Sequence, residues 1–163
     1  MNRVLDRAAF VVALASIAIL GAAFAFQYIG KLAPCELCIL QRWPYVATIA
    51  LGLLGLWAGR MRQPALTRGL LALAGLVFLV GAGVAAYHVG VEQKWWQGPT
   101  TCTGIGDVGS VQDLLKKIES APVVRCDEIA WSLFGISMAG YNFLLSLALA
   151  AICALAVRAR KGL

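Results

Sequence analysis

Four of the five cysteines in this 163-residue chain group by spacing into two pairs. Cys35-Glu36-Leu37-Cys38 is close enough to close on itself, and that short strained ring is the form used for thiol–disulfide exchange. Cys102 and Cys126 make the second pair, 24 positions apart, while Cys153 stands alone in an apolar run. Four cysteines allow three pairings, and spacing does not choose among them. A Cys-x-x-Cys with two distant cysteines also satisfies a tetrahedral zinc site. The wide second pair offers no tight knuckle, however, so no metal is expected. Haem attachment would need His after the second cysteine, and position 39 is Ile. A thioredoxin-like domain would need βαβ periodicity, which the chain lacks. Two inert structural disulfides, or a redox relay between two pairs, remain.

The elements that must position these residues are strongly apolar. The chain is 61% hydrophobic and 13% charged, with a mean hydropathy of +0.80; a soluble domain carries roughly 25% charged residues. Ala8–Gly30, Trp43–Gly59, Gly69–Val91 and Ile129–Val157 contain no Asp, Glu, Lys or Arg, and they hold 92 of the 163 positions. A helix needs about 20 apolar residues to cross the hydrocarbon core. The predicted fold class is therefore all-α: a four-transmembrane-helix bundle forming a single integral membrane domain, with outer loops at about 31–42 and 92–128. A soluble domain, a disordered chain and a secreted disulfide scaffold are excluded. The first apolar run is longer than the core of a signal peptide, so this span is expected to be retained.

Four crossings put both termini and the middle loop on one side. That side holds eight cations (Arg3, Arg7, Arg60, Arg62, Arg68, Arg158, Arg160, Lys161) in short segments against one acid, Asp6. The positive-inside rule makes it cytoplasmic. The net charge of +6 is then mostly a topology signal, and nucleic acid is not an expected partner. Both cysteine pairs face outward, where disulfides persist.

The runs Phe26-Gln27-Tyr28, Pro34-Cys35-Glu36-Leu37-Cys38-Ile39-Leu40-Gln41-Arg42, Tyr87-His88 and Pro99-Thr100-Thr101-Cys102 carry a family resemblance. It continues through Cys126, Trp131, Phe134-Gly135 and Ser137-Met138. Together they resemble the DsbB family, the bacterial disulfide bond formation protein B. The Pro-Cys-x-x-Cys-Ile-x-x-Arg block is the specific part. Vitamin K epoxide reductases share the four-helix plan but carry their Cys-x-x-Cys at the last helix of the bundle; here it follows the first span.

The resemblance implies a bacterial inner-membrane enzyme with periplasmic cysteine loops. It would take electrons from a DsbA-like periplasmic thiol oxidase and pass them to a membrane quinone, ubiquinone or menaquinone. It implies that Cys102 meets the partner, with Cys126 as its mate. Cys35 and Cys38 become the quinone-proximal pair, Cys38 the thiolate facing the ring, and a Cys35–Cys126 bond a transient relay state. Arg42 matches the family arginine that supports quinone binding. Glu36 departs from the pattern by placing an acid inside the Cys-x-x-Cys, where an anion disfavours a neighbouring thiolate.

Elementary physics supports these assignments. Cys38 and Arg42 are four apart and share a helical face, and a cation and a helix N-terminus both stabilise a thiolate. Pro44 disfavours helix at Trp43, so the second helix is expected to begin near 43. The alternative for Arg42 is a boundary cation that snorkels. His88 closes the third span near the same boundary, as a quinone hydrogen-bond partner or a structural imidazole. Val111, Leu114, Leu115 and Ile118 follow the i, i+3, i+4, i+7 pattern, predicting a short amphipathic helix on the outer surface. Trp43, Tyr45, Trp95, Trp96 and Trp131 read as an aromatic belt. The Gly55/Gly59, Ala18/Ala22 and Ala150/Ala154 pairs read as close helix contacts, and Cys153 as a packing residue. A channel or transporter would place ionisable residues at the bilayer midplane, and these spans have none. A membrane anchor with two structural disulfides is the non-enzymatic alternative.

Overall fold

The computed structural model describes residues 3–99, 110, 112 and 125–159. Four long helices account for most of them: α1 (Arg3–Tyr28), α3 (Arg42–Arg60), α4 (Pro64–Glu92) and α5 (Met138–Arg158). A five-residue helix, α2 (Glu36–Leu40), precedes α3, and a two-stranded hairpin, β1 (Ser132–Leu133) with β2 (Ile136–Ser137), precedes α5. The shortest long helix has 19 residues and the longest 29, so at helical rise they reach about 28–44 Å. That suffices for a hydrocarbon core of about 30 Å. All four crossing segments are apolar enough to span it, and the chain is a multi-pass membrane protein.

Packing follows the small residues. Around α3, the buried positions Gln41, Tyr45, Thr48, Gly52, Gly55 and Gly59 recur at helical period along one face. Gly52 and Gly55 lie against Ala13 and Ala9 of α1, which lets the two backbones approach closely. Gly75 of α4 meets the Cys153 side chain of α5, so Cys153 is a buried packing residue of the core. Helix α3 packs on both α1 and α4, and α4 on α5, whereas α1 and α5 touch only lightly. The bundle therefore has a seam between its first and last helices.

Several features differ from the sequence expectation. The fourth span, expected from Ile129, becomes helical only at Met138. Phe134 and Gly135 both take positive φ, 51° and 78°, the signature of a tight I′ hairpin turn, which pairs Ser132 with Ser137. Ser137 then caps α5, its Oγ accepting from the Gly140 N–H at 3.1 Å. Hydropathy does not distinguish such a hairpin from a helix. Helix α3 begins at Arg42, in line with the expected start near 43, but a short helix α2 precedes it, with Gln41 as a one-residue hinge between them. Pro44, lacking the N–H that would bond the Leu40 carbonyl, accounts for that hinge. Tyr45 does not join the aromatic belt: it is 3% exposed because it lies one turn from Gln41 on the inward face. The expected amphipathic segment, apart from Ser110 and Gln112, lies outside the described residues, as does Cys102.

Candidate active site

The outer ends of α1, α4 and α5 converge on the α2–α3 junction. Extended backbone at Cys35 (φ −75°, ψ 170°) makes it the N-cap of α2, and its Sγ accepts from the Cys38 N–H at 3.2 Å. One turn of helix then returns Cys38 to it. The Cys35 thiol donates to Cys38 Sγ at 2.8 Å, so loss of two electrons and two protons can join the sulfurs with little movement. That hydrogen bond to Cys38, reinforced by burial, pushes the Cys35 thiol well above its ordinary pKa.

Cys126 arrives from the segment before the hairpin. It is fully buried and packs with Cys35, Leu37 and Val91, with Cys38 at the edge of the cluster. The structure thus brings together Cys35, Cys38 and Cys126, residues separated by most of the chain.

His88, on the last turns of α4, faces the same group. Its Nε2 lies 3.7 Å from Cys35 Sγ and 4.0 Å from Glu92 Oε1, and the ring hydrogen-bonds the Cys126 main chain. Its other nitrogen, Nδ1, is 2.7 Å from Gln41 Nε2. The ligand atoms of Cys35, Cys38 and His88 all lie within 4.8 Å of one another, a donor set a thiophilic metal uses. Arg42 reaches sideways: Nη1 donates to Gln27 Oε1 at 2.6 Å, and the guanidinium sits 5.0 Å over the Phe24 ring.

These groups border a cavity of about 380 Å³ at the α1–α5 seam. Its walls are mostly apolar, and Cys38, Gln41, Arg42, His88 and Glu92 supply polar groups at its lining. An apolar cleft with a few convergent polar groups is the usual form of a small-molecule site. Trp131 lines it too, 5.1 Å from Phe26 ring to ring, while Trp43, Trp95 and Trp96 are exposed as a belt requires.

Sequence reasoning missed Gln27, Gln41, Glu92, Asn142 and Ser146. Tyr45 donates to Asn142 Oδ1 and lies 3.0 Å from Ser146 Oγ; Asn142 Nδ2 in turn donates to Gln41 Oε1. One cue is visible in the sequence. Asn142 is a lone amide in an apolar span, and polar groups inside membranes find partners.

A four-helix membrane bundle that buries a dithiol, a third cysteine and an imidazole beside a seam cavity belongs to the class of membrane thiol–disulfide proteins. The chain matches the family described as Disulfide bond formation protein DsbB over residues 5–156, and it belongs to that family. It is 32% identical to a Disulfide bond formation protein B of Verminephrobacter eiseniae, covering 99% of this chain and 93% of the relative. It is 33% identical to a Disulfide bond formation protein B 2 of Pseudomonas savastanoi, covering 83% of this chain and 78% of that protein. An uncharacterised protein of Rickettsia prowazekii is 31% identical, over 82% of this chain and 77% of its own length. No solved structure matches the chain at a significant level.

Proposed function

We propose that this chain reoxidises a DsbA-like periplasmic dithiol oxidase and delivers the electrons to ubiquinone or menaquinone in the bacterial inner membrane, with both termini cytoplasmic. The observation that carries this reading is the clustering of buried Cys35 and Cys126 with half-buried Cys38, with Cys35 and Cys38 lining the seam cavity. Inert disulfides would not require a redox pair to border an apolar cavity.

The chemistry balances as four successive thiol–disulfide exchanges and one oxidation. The partner's thiolate attacks Cys102 of a Cys102–Cys126 bond, and Cys126 departs with the electron pair. The Cys126 thiolate then attacks Cys35, breaking the Cys35–Cys38 bond and releasing Cys38 as thiolate. The partner's second thiol closes the partner's own disulfide and frees Cys102, which reclaims Cys126 and releases Cys35. Cys35 and Cys38, now a dithiol, give up two electrons and two protons as their bond re-forms. A bound quinone supplies the sink for both. The cavity fits a quinone ring in volume and chemistry: apolar walls suit the ring, while Arg42 offers donors to its carbonyl oxygens and His88 and Cys38 border the same space.

The test is catalytic oxidation of a reduced DsbA-like protein by the purified full chain with a quinone. Cys102→Ala abolishes turnover but leaves Cys35 and Cys38 able to react with quinone. Cys38→Ala traps a mixed disulfide through Cys102 and stops electron flow. A Cys102→Ala variant that still turns over the partner refutes the assignment.

A further inference from the structure

Beneath the redox pair, a chain of side-chain hydrogen bonds runs in a single direction. Two hydroxyls donate to Asn142 Oδ1: that of Tyr45 and, at 3.5 Å, that of Ser146. The Asn142 amide nitrogen donates to Gln41 Oε1. This leaves the Gln41 amide nitrogen to face His88 Nδ1 at 2.7 Å. An amide N–H donates only to a bare ring nitrogen, so the imidazole proton sits on Nε2. The opposite edge of the ring agrees. Nε2 faces the Cys35 sulfur at 3.7 Å and a Glu92 oxygen at 4.0 Å, and the ring also donates to the Cys126 main chain, so its single N–H is shared among acceptors that include the Cys35 sulfur. Reversing the chain would require both amides to flip together. It would then set a bare Nε2 lone pair against the carboxylate and the sulfur.

We propose that Gln41, oriented by Asn142 and Tyr45, is a positioning residue that holds His88 in its Nε2–H tautomer and so gives the Cys35 sulfur a fixed second donor. The first donor is the Cys38 N–H, 3.2 Å from Cys35 Sγ. Two donors on one sulfur stabilise negative charge there, as oxyanion-hole donors do on oxygen. They act whenever Cys35 leaves a disulfide with the electron pair. This deepens the relay reading, in which Cys35 is released on each cycle, but the tautomer itself does not depend on it. In this tautomer a metal at Nε2 would first have to displace its proton.

His88 is the only histidine in the chain, so full-length protein labelled with ¹⁵N-histidine and purified without a histidine tag reports one imidazole. In reduced protein in detergent, the expected spectrum shows Nε2 protonated and Nδ1 bare. Gln41→Leu and Asn142→Leu are expected to spread the signal over both tautomers. A wild-type Nδ1–H tautomer overturns the proposal, and so do variants that keep the wild-type pattern.

The chemical consequence is read without partner protein or quinone. Cys35 is 5% exposed, and Cys38 is the more accessible of the two. Dithiothreitol therefore attacks Cys38 of the oxidised pair, and Cys35 departs as thiolate and takes up a proton. His88→Phe, which removes the donor altogether, is expected to slow this opening roughly tenfold, the effect of one charge-assisted hydrogen bond. Gln41→Leu, which keeps the donor in part of the population, is expected to slow it by about twofold. An unchanged rate overturns the donor role of His88. A normal tautomer and opening rate in a chain that fails to oxidise its partner would instead refute the proposed function alone.

Discussion

Replacing Arg42 by Leu separates a quinone-binding cation from one that merely anchors a helix at the membrane boundary. The guanidinium is held from two directions, by Gln27 Oε1 at 2.6 Å and by the Phe24 ring at 5.0 Å. Gln27 occupies one of its five N–H donors, leaving others for a ligand in the cavity that Arg42 lines. A hydrogen bond to a charged donor contributes roughly 1.5–3 kcal/mol, about 10- to 150-fold in affinity. Arg42→Leu should therefore raise the quinone concentration for half-maximal rate by about that factor. Arg42→Lys should fall between, keeping the charge but losing the planar fork. Gln27→Leu leaves the cation and removes its tether. A neutral-scale loss of ~1 kcal/mol gives roughly a fivefold rise. The assay is steady-state turnover with reduced DsbA-like partner saturating and quinone varied, then the reverse. The KM for partner should not move, because the proposed relay gives docking to Cys102. An unshifted quinone requirement in Arg42→Leu removes this residue from the site, and equal shifts in both KM values would mark a general defect.

Three further outcomes follow from the same geometry. Reporter fusions after Arg62 should be active only for a cytoplasmic reporter, since moving eight cations outward opposes the charge bias; an active periplasmic reporter there overturns the orientation. Gly52→Ala should lower thermal stability by ~1–3 kcal/mol, because the new Cβ would stand 2.9 Å from the Ala13 backbone nitrogen; a detergent melting curve matching wild type would contradict that close approach. In the reduced protein at pH 8, iodoacetamide should modify Cys38 before Cys35. The raised Cys35 pKa keeps that group a neutral thiol well above neutrality, and peptide mass spectrometry reads the order directly.

How much of this site is legible in the sequence depends on whether its parts are contiguous. Cys35, Cys38 and Arg42 fall within eight residues, so a short motif and a helical period suffice to bring them together. The four crossings are legible because a charge-free run of about 20 residues has few other fates. The start of α5 is not, because Ile129–Ser137 is as apolar as a helix, and only the positive φ at Phe134 and Gly135 reveals a hairpin. The chain of Tyr45, Asn142, Gln41 and His88 is hidden for a different reason. Its members come from three helices, and each alone has an ordinary explanation: belt aromatic, stray amide, boundary polar residue, structural imidazole. Yet an apolar bundle makes such groups seek one another, since lipid offers no alternative partner. In a span with no charges, each remaining polar side chain is thus a constraint on its neighbours. Asn142 needs a donor for its oxygen and an acceptor for its nitrogen, and Tyr45 on the inward face of α3 and Gln41 at its N-cap meet those needs. Nothing in that pairing requires a thiol, but its direction reaches one: the last donor ends on the Nδ1 of His88, whose other nitrogen faces Cys35. The polar interior of the bundle and the reactivity of its redox pair are therefore linked through the orientation of a single amide.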